Sequence, residues 1–258
     1  MSSLKRLLAV GLAAAVPWVA TAAPALAAKP WSIEYESSVE ATNNLQQQAN
    51  GTPDLAFRNN LQFSYYPTAD NNSAALFRLQ VLDQRYKFNP DYDSTYLIAT
   101  GLASRRLYQS LFGYGGYQFL YKQADQLDTS ARKDNDLFGG LVFYTPLSRS
   151  MLIFHGYQFD YLRADDVTTS YQGHSLYLTW RDLLTDRLTT EVSVRSQLRL
   201  FDTIGELEWR NFLSLDASYQ LQSWWSLESE ALYMNSTASR ADFNFNAWIV
   251  DVYTRFTY

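Results

Sequence analysis

The sequence predicts an all-β protein, a transmembrane antiparallel β-barrel of about twelve strands. Three observations carry that prediction. A basic and then apolar leader opens the chain, short segments of alternating apolar and polar residues follow, and the connections between those segments alternate between long and short.

The leader comes first. Lys5 and Arg6 precede an apolar run from Leu7 to about Val19, and "PALA" supplies small residues for cleavage after Ala27. The run is shorter than the roughly 20 residues a spanning helix needs, so it reads as a secretory signal peptide over residues 1–27 rather than an anchor. The mature barrel is then expected over 28–258. Cleavage removes two basic residues and no acid, taking the net charge from −5 to −7. An acidic chain is a poor match for nucleic acid, which calls for a basic face. The chain has no Cys, which excludes disulfides and thiolate metal sites.

Aromatic residues make up 16% of the chain, with 19 Tyr and 7 Trp, a composition suited to interfaces. Mean hydropathy is nevertheless −0.27. Past the leader no apolar stretch is long enough to cross a bilayer as a helix, so a secreted chain of this kind is either a soluble β-protein or a transmembrane barrel. The spacing of the strands favours the barrel.

The candidate strands follow in order. Segment 31–40 turns Glu34, Glu36 and Glu40 to one face, and segments 55–66 and 74–85 place Arg58 and Arg78 on the equivalent face. Segments 95–104 and 109–122 alternate poorly, and the three glycines of "FGYGGYQF" mark a bend, a bulge or a small-residue patch. Segments 137–145 and 151–163 follow, and 174–183 carries Arg181. Segment 187–201 alternates clearly: Leu188, Val192, Val194, Leu198 and Leu200 oppose Arg187, Glu191, Arg195, Gln197 and Arg199. Segment 209–221 does the same, with Trp209, Leu213, Leu215, Ala217 and Tyr219 opposite Arg210, Ser214, Asp216 and Ser218. Segment 225–235 contributes Glu228 and Glu230. Segment 245–258 sets Trp248, Val250, Val252, Phe256 and Tyr258 against Asp251 and Arg255.

The connections over 42–54, 122–136, 163–173 and 236–244 are long and polar, whereas "TPLSRS", "LLTD" and "QSWW" are short. Long external loops and tight periplasmic turns are the habit of outer-membrane barrels, and an even strand count puts both termini in the periplasm. Aromatics gather near strand ends. Trp31, Tyr65, Tyr66, Tyr144, Trp180, Trp224, Trp225 and Tyr258 are expected in a periplasmic girdle, and Tyr86, Tyr92, Tyr96, Tyr161, Trp209 and Tyr233 in an outer one.

The leader, the alternating strands and the terminal "VDVYTRFTY" resemble Gram-negative outer-membrane β-barrel proteins, whose last strand ends in an aromatic with apolar residues at alternating positions before it. The resemblance extends over the mature chain as architecture and picks out no single family. It implies residence in the cell outer membrane among its lipid and lipopolysaccharide. It also implies that Val252, Phe256 and Tyr258 are read by the barrel assembly machinery during biogenesis. Thr254 departs from the apolar pattern.

Alternation then yields a charge map of the lumen. Glu34, Glu36, Glu228, Glu230 and Asp251 are expected on an acidic wall, and Arg58, Arg78, Arg181, Arg195, Arg199 and Arg210 on basic walls, all pore-lining. Opposed walls would set a transverse field and filter permeating solutes; the bland alternative is that these side chains pair across strands. The expected function is a passive channel for small polar or anionic solutes such as acidic oligosaccharides. The alternative is an exit or anchoring component of an exopolysaccharide or other envelope machine, bound to a periplasmic secretion partner and without open-pore activity of its own.

No catalytic residues are expected. His155 and His174 are the two histidines; Ser175 beside His174 points to the opposite face of its strand, and His155 reads as a tolerated neighbour of Tyr157. Asp91 and Asp93 in "NPDYDS" read as turn residues rather than a cation site. Neither metal nor cofactor is implied.

Overall fold

A computed structural model describes residues 30–44, 51–69, 72–123, 131–203, 205–239 and 244–258. The expected signal peptide lies outside the described residues. Twelve strands run through them: β1 Trp31–Thr42, β2 Asp54–Ala69, β3 Ser73–Tyr86, β4 Ser94–Tyr108, β5 Leu111–Lys122, β6 Arg132–Pro146, β7 Met151–Ala164, β8 Tyr171–Leu183, β9 Leu188–Phe201, β10 Leu207–Gln222, β11 Trp225–Ala238 and β12 Phe245–Thr257. Each strand pairs antiparallel with its chain neighbour, and β1 pairs with β12 to close the barrel. Closure leaves no sheet edge, the condition for strands to lie in hydrocarbon.

The seam is continued past the last strand by two backbone bonds, Ile33 N to Tyr258 O at 3.1 Å and Tyr258 N to Ile33 O at 2.9 Å. On its outer face Phe256 stacks against Tyr35, Trp224 and Trp225 at ring distances of 6.0–6.4 Å. Thr254 now has a role: its hydroxyl oxygen accepts the Trp225 indole N–H at 2.6 Å, satisfying a polar group that faces outward.

The outer surface is apolar in the way only a lipid-facing surface is. Phe77, Leu176, Leu178, Val194, Leu215 and Val252 are all exposed, Leu176 to 66% of its maximum. Polar side chains on that surface pair with each other, as Trp209 and Ser196 do on Asn211 and Tyr35 does on Asn59.

Several expectations need correction. Strands β4 and β5 alternate poorly because both of their faces are apolar: Tyr96, Ile98 and Leu120 point inward and pack with Leu82 of β3. Strand β6 begins at Arg132, not at 137, and carries Asp134 and Asp136 inward from a stretch read as loop. Tyr66, Tyr86, Tyr96 and Tyr144 face inward, and Tyr92 packs on Tyr86 in a 3-10 turn, so none of these five belongs to a lipid girdle. Arg187 sits in the turn before β9 and is exposed rather than lumenal.

Glycines on the inner face let neighbouring aromatics lie against the backbone. A Cβ on Gly156 would come within 2.1 Å of the Leu141 carbonyl oxygen and 2.6 Å of the Tyr177 hydroxyl; one on Gly140 would meet the Tyr157 oxygen at 2.2 Å. Gly156→Ala is therefore expected to destabilise the barrel by about 1–3 kcal/mol, the usual scale for overpacking. Urea titration of protein refolded into vesicles measures this, and an unchanged midpoint contradicts it.

Candidate functional site

The candidate site is the lumen. Register and alternation put all eleven charged residues singled out in the sequence on the inner face of their strands: Glu34 and Glu36 on β1, Arg58 on β2, Arg78 on β3, Arg181 on β8, Arg195 and Arg199 on β9, Arg210 on β10, Glu228 and Glu230 on β11, and Asp251 on β12.

The expected division into acidic and basic walls does not hold. Most of the arginines have carboxylates on their own or nearby strands instead. Arg58 Nη1 lies 3.1 Å from Glu40 and 3.0 Å from Asp251. Arg255 bridges Glu36 at 2.6 Å and Glu228 at 3.1 Å, while Asn60 donates to Glu36 at 2.8 Å. Arg181 pairs with Glu191 at 2.7 Å. Bringing charges into a confined lumen is costly unless each meets its opposite, and this lateral pairing meets that requirement.

Two further networks involve residues that sequence reasoning missed. Asp160 of β7 accepts from Gln197 at 3.1 Å and pairs with Arg195 at 3.4 Å, and Arg195 donates to Ser175 at 2.9 Å. Gln158 donates to Asp160 and accepts from the Tyr114 hydroxyl, the latter at 3.0 Å. On the neighbouring strands Glu208 accepts hydrogen bonds from Arg210 Nε and from Ser236, both at 2.7 Å, and forms an ion pair with Arg199 at 3.8 Å. Aromatic rings cover these guanidinium groups, Tyr171 at 4.4 Å from Arg199 and Phe245 at 5.3 Å from Arg210. The signal for Asp160 was present as an inward position on 151–163. Asp134 and Asp136 were hidden because the inner face of β6 turns apolar after them, at Phe138 and Val142.

Burial divides the lumen in two. Towards the long loops the inner face is packed by its own side chains around the circumference. Glu40, Leu82, Tyr96, Leu120, Asp136, Asp160, Ser175, Gln197, Arg210, Leu232 and Ile249 are all buried, with Arg210 at 0% exposure. Towards the short turns the lining opens: Glu34, Glu36, Asn60, Arg78, Thr100, Arg181, Glu191, Asp216, Glu230, Tyr253 and Arg255 each keep part of their surface in solvent. Between them Ser64, Ser226, Thr179 and Glu228 are covered, and on the aromatic side so are Leu76, Leu102, Val142 and Phe154. The result is a vestibule below a packed outer layer. One side of the vestibule is charged, on β1, β2, β11 and β12; the other, on β5 to β8, is aromatic, with Phe112, Tyr114, Tyr144 and Tyr177 packed around Val142 and Phe154.

Both histidines lie outside the lumen. His155 stacks on Phe143 with rings 5.3 Å apart, and it is His174, not His155, that meets Tyr157, with 2.7 Å between Nδ1 and the hydroxyl. Asp93 accepts the Tyr86 backbone N–H at 2.7 Å, the use expected of a turn aspartate.

Glu208 is the anion that two buried arginines share. Glu208→Ala is expected to lower the unfolding free energy by about 3–5 kcal/mol, because it strands two buried positive charges, whereas Glu208→Leu combined with Arg210→Met strands Arg199 alone and is expected to lose less. Urea unfolding in vesicles compares the two, and a double variant as unstable as the single one contradicts the pairing.

No protein-family model and no curated protein matches the sequence. Solved structures match the fold. The KdgM porin in complex with disordered oligogalacturonate superposes with a TM-score of 0.52 at 9% identity, covering 88% of this chain and 99% of that one. An outer-membrane channel from Pseudomonas putida F1 gives 0.60 at 8%, covering 88% and 95%. A bacterial polysaccharide outer-membrane secretin gives 0.55 at 8%, covering 88% and 98%. In fold, the chain is an outer-membrane β-barrel of twelve antiparallel strands.

Proposed function

We propose that this barrel is a porin-like channel of the cell outer membrane, passing small polar solutes and selecting among them by charge. The observation that carries the proposal is the solvent-accessible, charged inner face of the short-turn half, set behind a greasy exterior that belongs in lipid. The packed outer layer is the constriction. Among the described residues it is built of strand side chains, so small rearrangements of Arg58, Arg195 and their carboxylates change its bore. The shared fold with a porin and a channel supports this reading.

The finer reading, a preference for anionic solutes such as acidic oligosaccharides, draws on the inward arginines. Arg195, Arg199 and Arg210, however, stand in the packed layer with carboxylates beside them. They act there as struts of the constriction rather than as a free anion ladder. Any anion preference then rests on arginines lower in the lumen.

A second reading is favoured by the same packed layer: an exit or anchoring component that opens only with a periplasmic partner. The fold it shares with a polysaccharide secretin fits that role.

Planar-bilayer recording of the refolded protein tests the choice. The wild type is expected to conduct in discrete steps. Arg195→Ala with Arg199→Ala, which removes two long side chains from the constriction, is expected to raise the conductance by at least about twofold and to shift preference towards cations. A wild type that never conducts contradicts the channel reading and leaves the partner-dependent one.

A further inference from the structure

Inward arginines in this barrel are paired as a rule. Among the described residues, each of them has a carboxylate oxygen within 3.8 Å, with two exceptions. The exceptions are Arg78 of β3 and Arg106 of β4. Arg78 senses Glu34 only at longer range, and Arg106 lies over the Phe112 ring at 5.2 Å. In both, the Nε is buried and lacks a hydrogen-bond partner. A guanidinium left without its anion, in a lumen that supplies anions to all its other arginines, marks a position where the anion comes from elsewhere.

Both exceptions border the aromatic side of the vestibule. Arg106 pairs in register with Phe112 of β5, and Ser104, two residues before it, pairs with Tyr114. The phenol end of Tyr114 lies over Gly140, where a Cβ would come within 2.8 Å of its hydroxyl, and that of Tyr177 lies over Gly156. These glycines allow the two rings to lie along the wall across neighbouring strands. Packed on Val142 and Phe154, each ring still keeps part of its surface in solvent. Tyr144 and Phe112 extend the surface towards the short turns, 5.9 Å apart.

We propose that Arg78, Arg106 and these rings form a binding track for an acidic oligosaccharide, loaded from the short-turn, periplasmic side. The proposal deepens the channel reading and rests on it for the onward path of the ligand. The chemistry is specific to the combination. A sugar ring offers an apolar C–H face that an aromatic ring accepts, and a uronate carboxylate is the planar anion that a guanidinium holds in two parallel bonds. A neutral sugar can offer these arginines hydroxyl acceptors but no counter-charge, and a small inorganic anion makes no use of the rings. Arg78 pairs with Thr100, and Arg106 stands six positions further along β4. At about 3.3 Å per residue that is a span of roughly 20 Å along the strand, the reach of several sugar units. Loading is from the periplasm because the packed layer closes the opposite end.

The test is equilibrium binding to the full-length barrel in detergent, with a short oligomannuronate, a maltooligosaccharide of equal length and inorganic sulfate as probes. Oligomannuronate is expected to bind, and the other two to bind at least about tenfold more weakly. Arg78→Ala and Arg106→Ala are each expected to weaken it by about tenfold or more, and Tyr114→Leu by less. Neither arginine holds a carboxylate within ion-pair distance, so these variants strand no buried charge and should keep the heat-dependent gel mobility of the folded barrel. In bilayers, oligomannuronate should interrupt the current when added at the short-turn side and not at the other. Equal binding of the neutral sugar, or full binding by the Arg78→Ala/Arg106→Ala double variant, overturns the track. A barrel that conducts without binding oligomannuronate also overturns it and keeps the channel reading; one that binds without conducting keeps the track and overturns the channel.

Discussion

Hydrocarbon offers the backbone no hydrogen-bond partner, and every other feature of this protein follows from that. A strand in lipid must pair on both edges, and twelve strands achieve this only if the first meets the last. Here Glu34 to Thr42 of β1 lie along Thr257 to Ile249 of β12, with Tyr258 adding a further pair of bonds. Once the cylinder is shut, strand geometry sends alternate side chains outward to lipid and inward to a confined space. Phe256, Trp224 and Trp225 serve the outside of the seam, while Arg255 and Glu36 serve its inside.

Confinement decides what the inside becomes. Charges there lose much of their water, and they recover the loss by pairing sideways with near neighbours rather than by facing one another across a gap. The largest such assembly joins the two halves of the lumen. Tyr114, at the aromatic surface of the vestibule, donates to Gln158; Gln158 donates to Asp160; Asp160 receives Gln197 and Arg195 in the packed layer. Occupancy of the vestibule and packing of the constriction thus share side chains. In the channel proposed above, that continuity is a physical means of responding to a solute.

Much of the architecture was legible in the sequence. Segments such as 187–201 and 209–221 alternate cleanly because one face meets lipid and the other meets charge, and their register could be read directly. Legibility failed where the inner face is apolar. Tyr96, Ile98, Leu102 and Leu120 point inward into small cores, so β4 and β5 carry apolar residues on both sides and lose the period-two signal. The same effect hid the start of β6 and misplaced the inward tyrosines in a lipid girdle. At the site, alternation identified which charges face inward but not which of them meet. Partnership depends on the stagger between strands, as with Arg58 reaching both Glu40 on β1 and Asp251 on β12, and a single sequence does not record stagger. The unpaired state of Arg78 and Arg106 was invisible for the same reason.

The division of the lumen into an open half and a packed half is the central claim, and the absence of native cysteine makes it directly measurable. Thr100→Cys places a thiol in the vestibule and Ser175→Cys places one in the packed layer. With the barrel in oriented membranes and a membrane-impermeant maleimide on one side at a time, Thr100→Cys should react from the periplasmic side alone, and Ser175→Cys from neither. Equal labelling of Thr100→Cys from both sides, or fast labelling of Ser175→Cys from the outside, would show a lumen open from end to end and contradict this structure of the site.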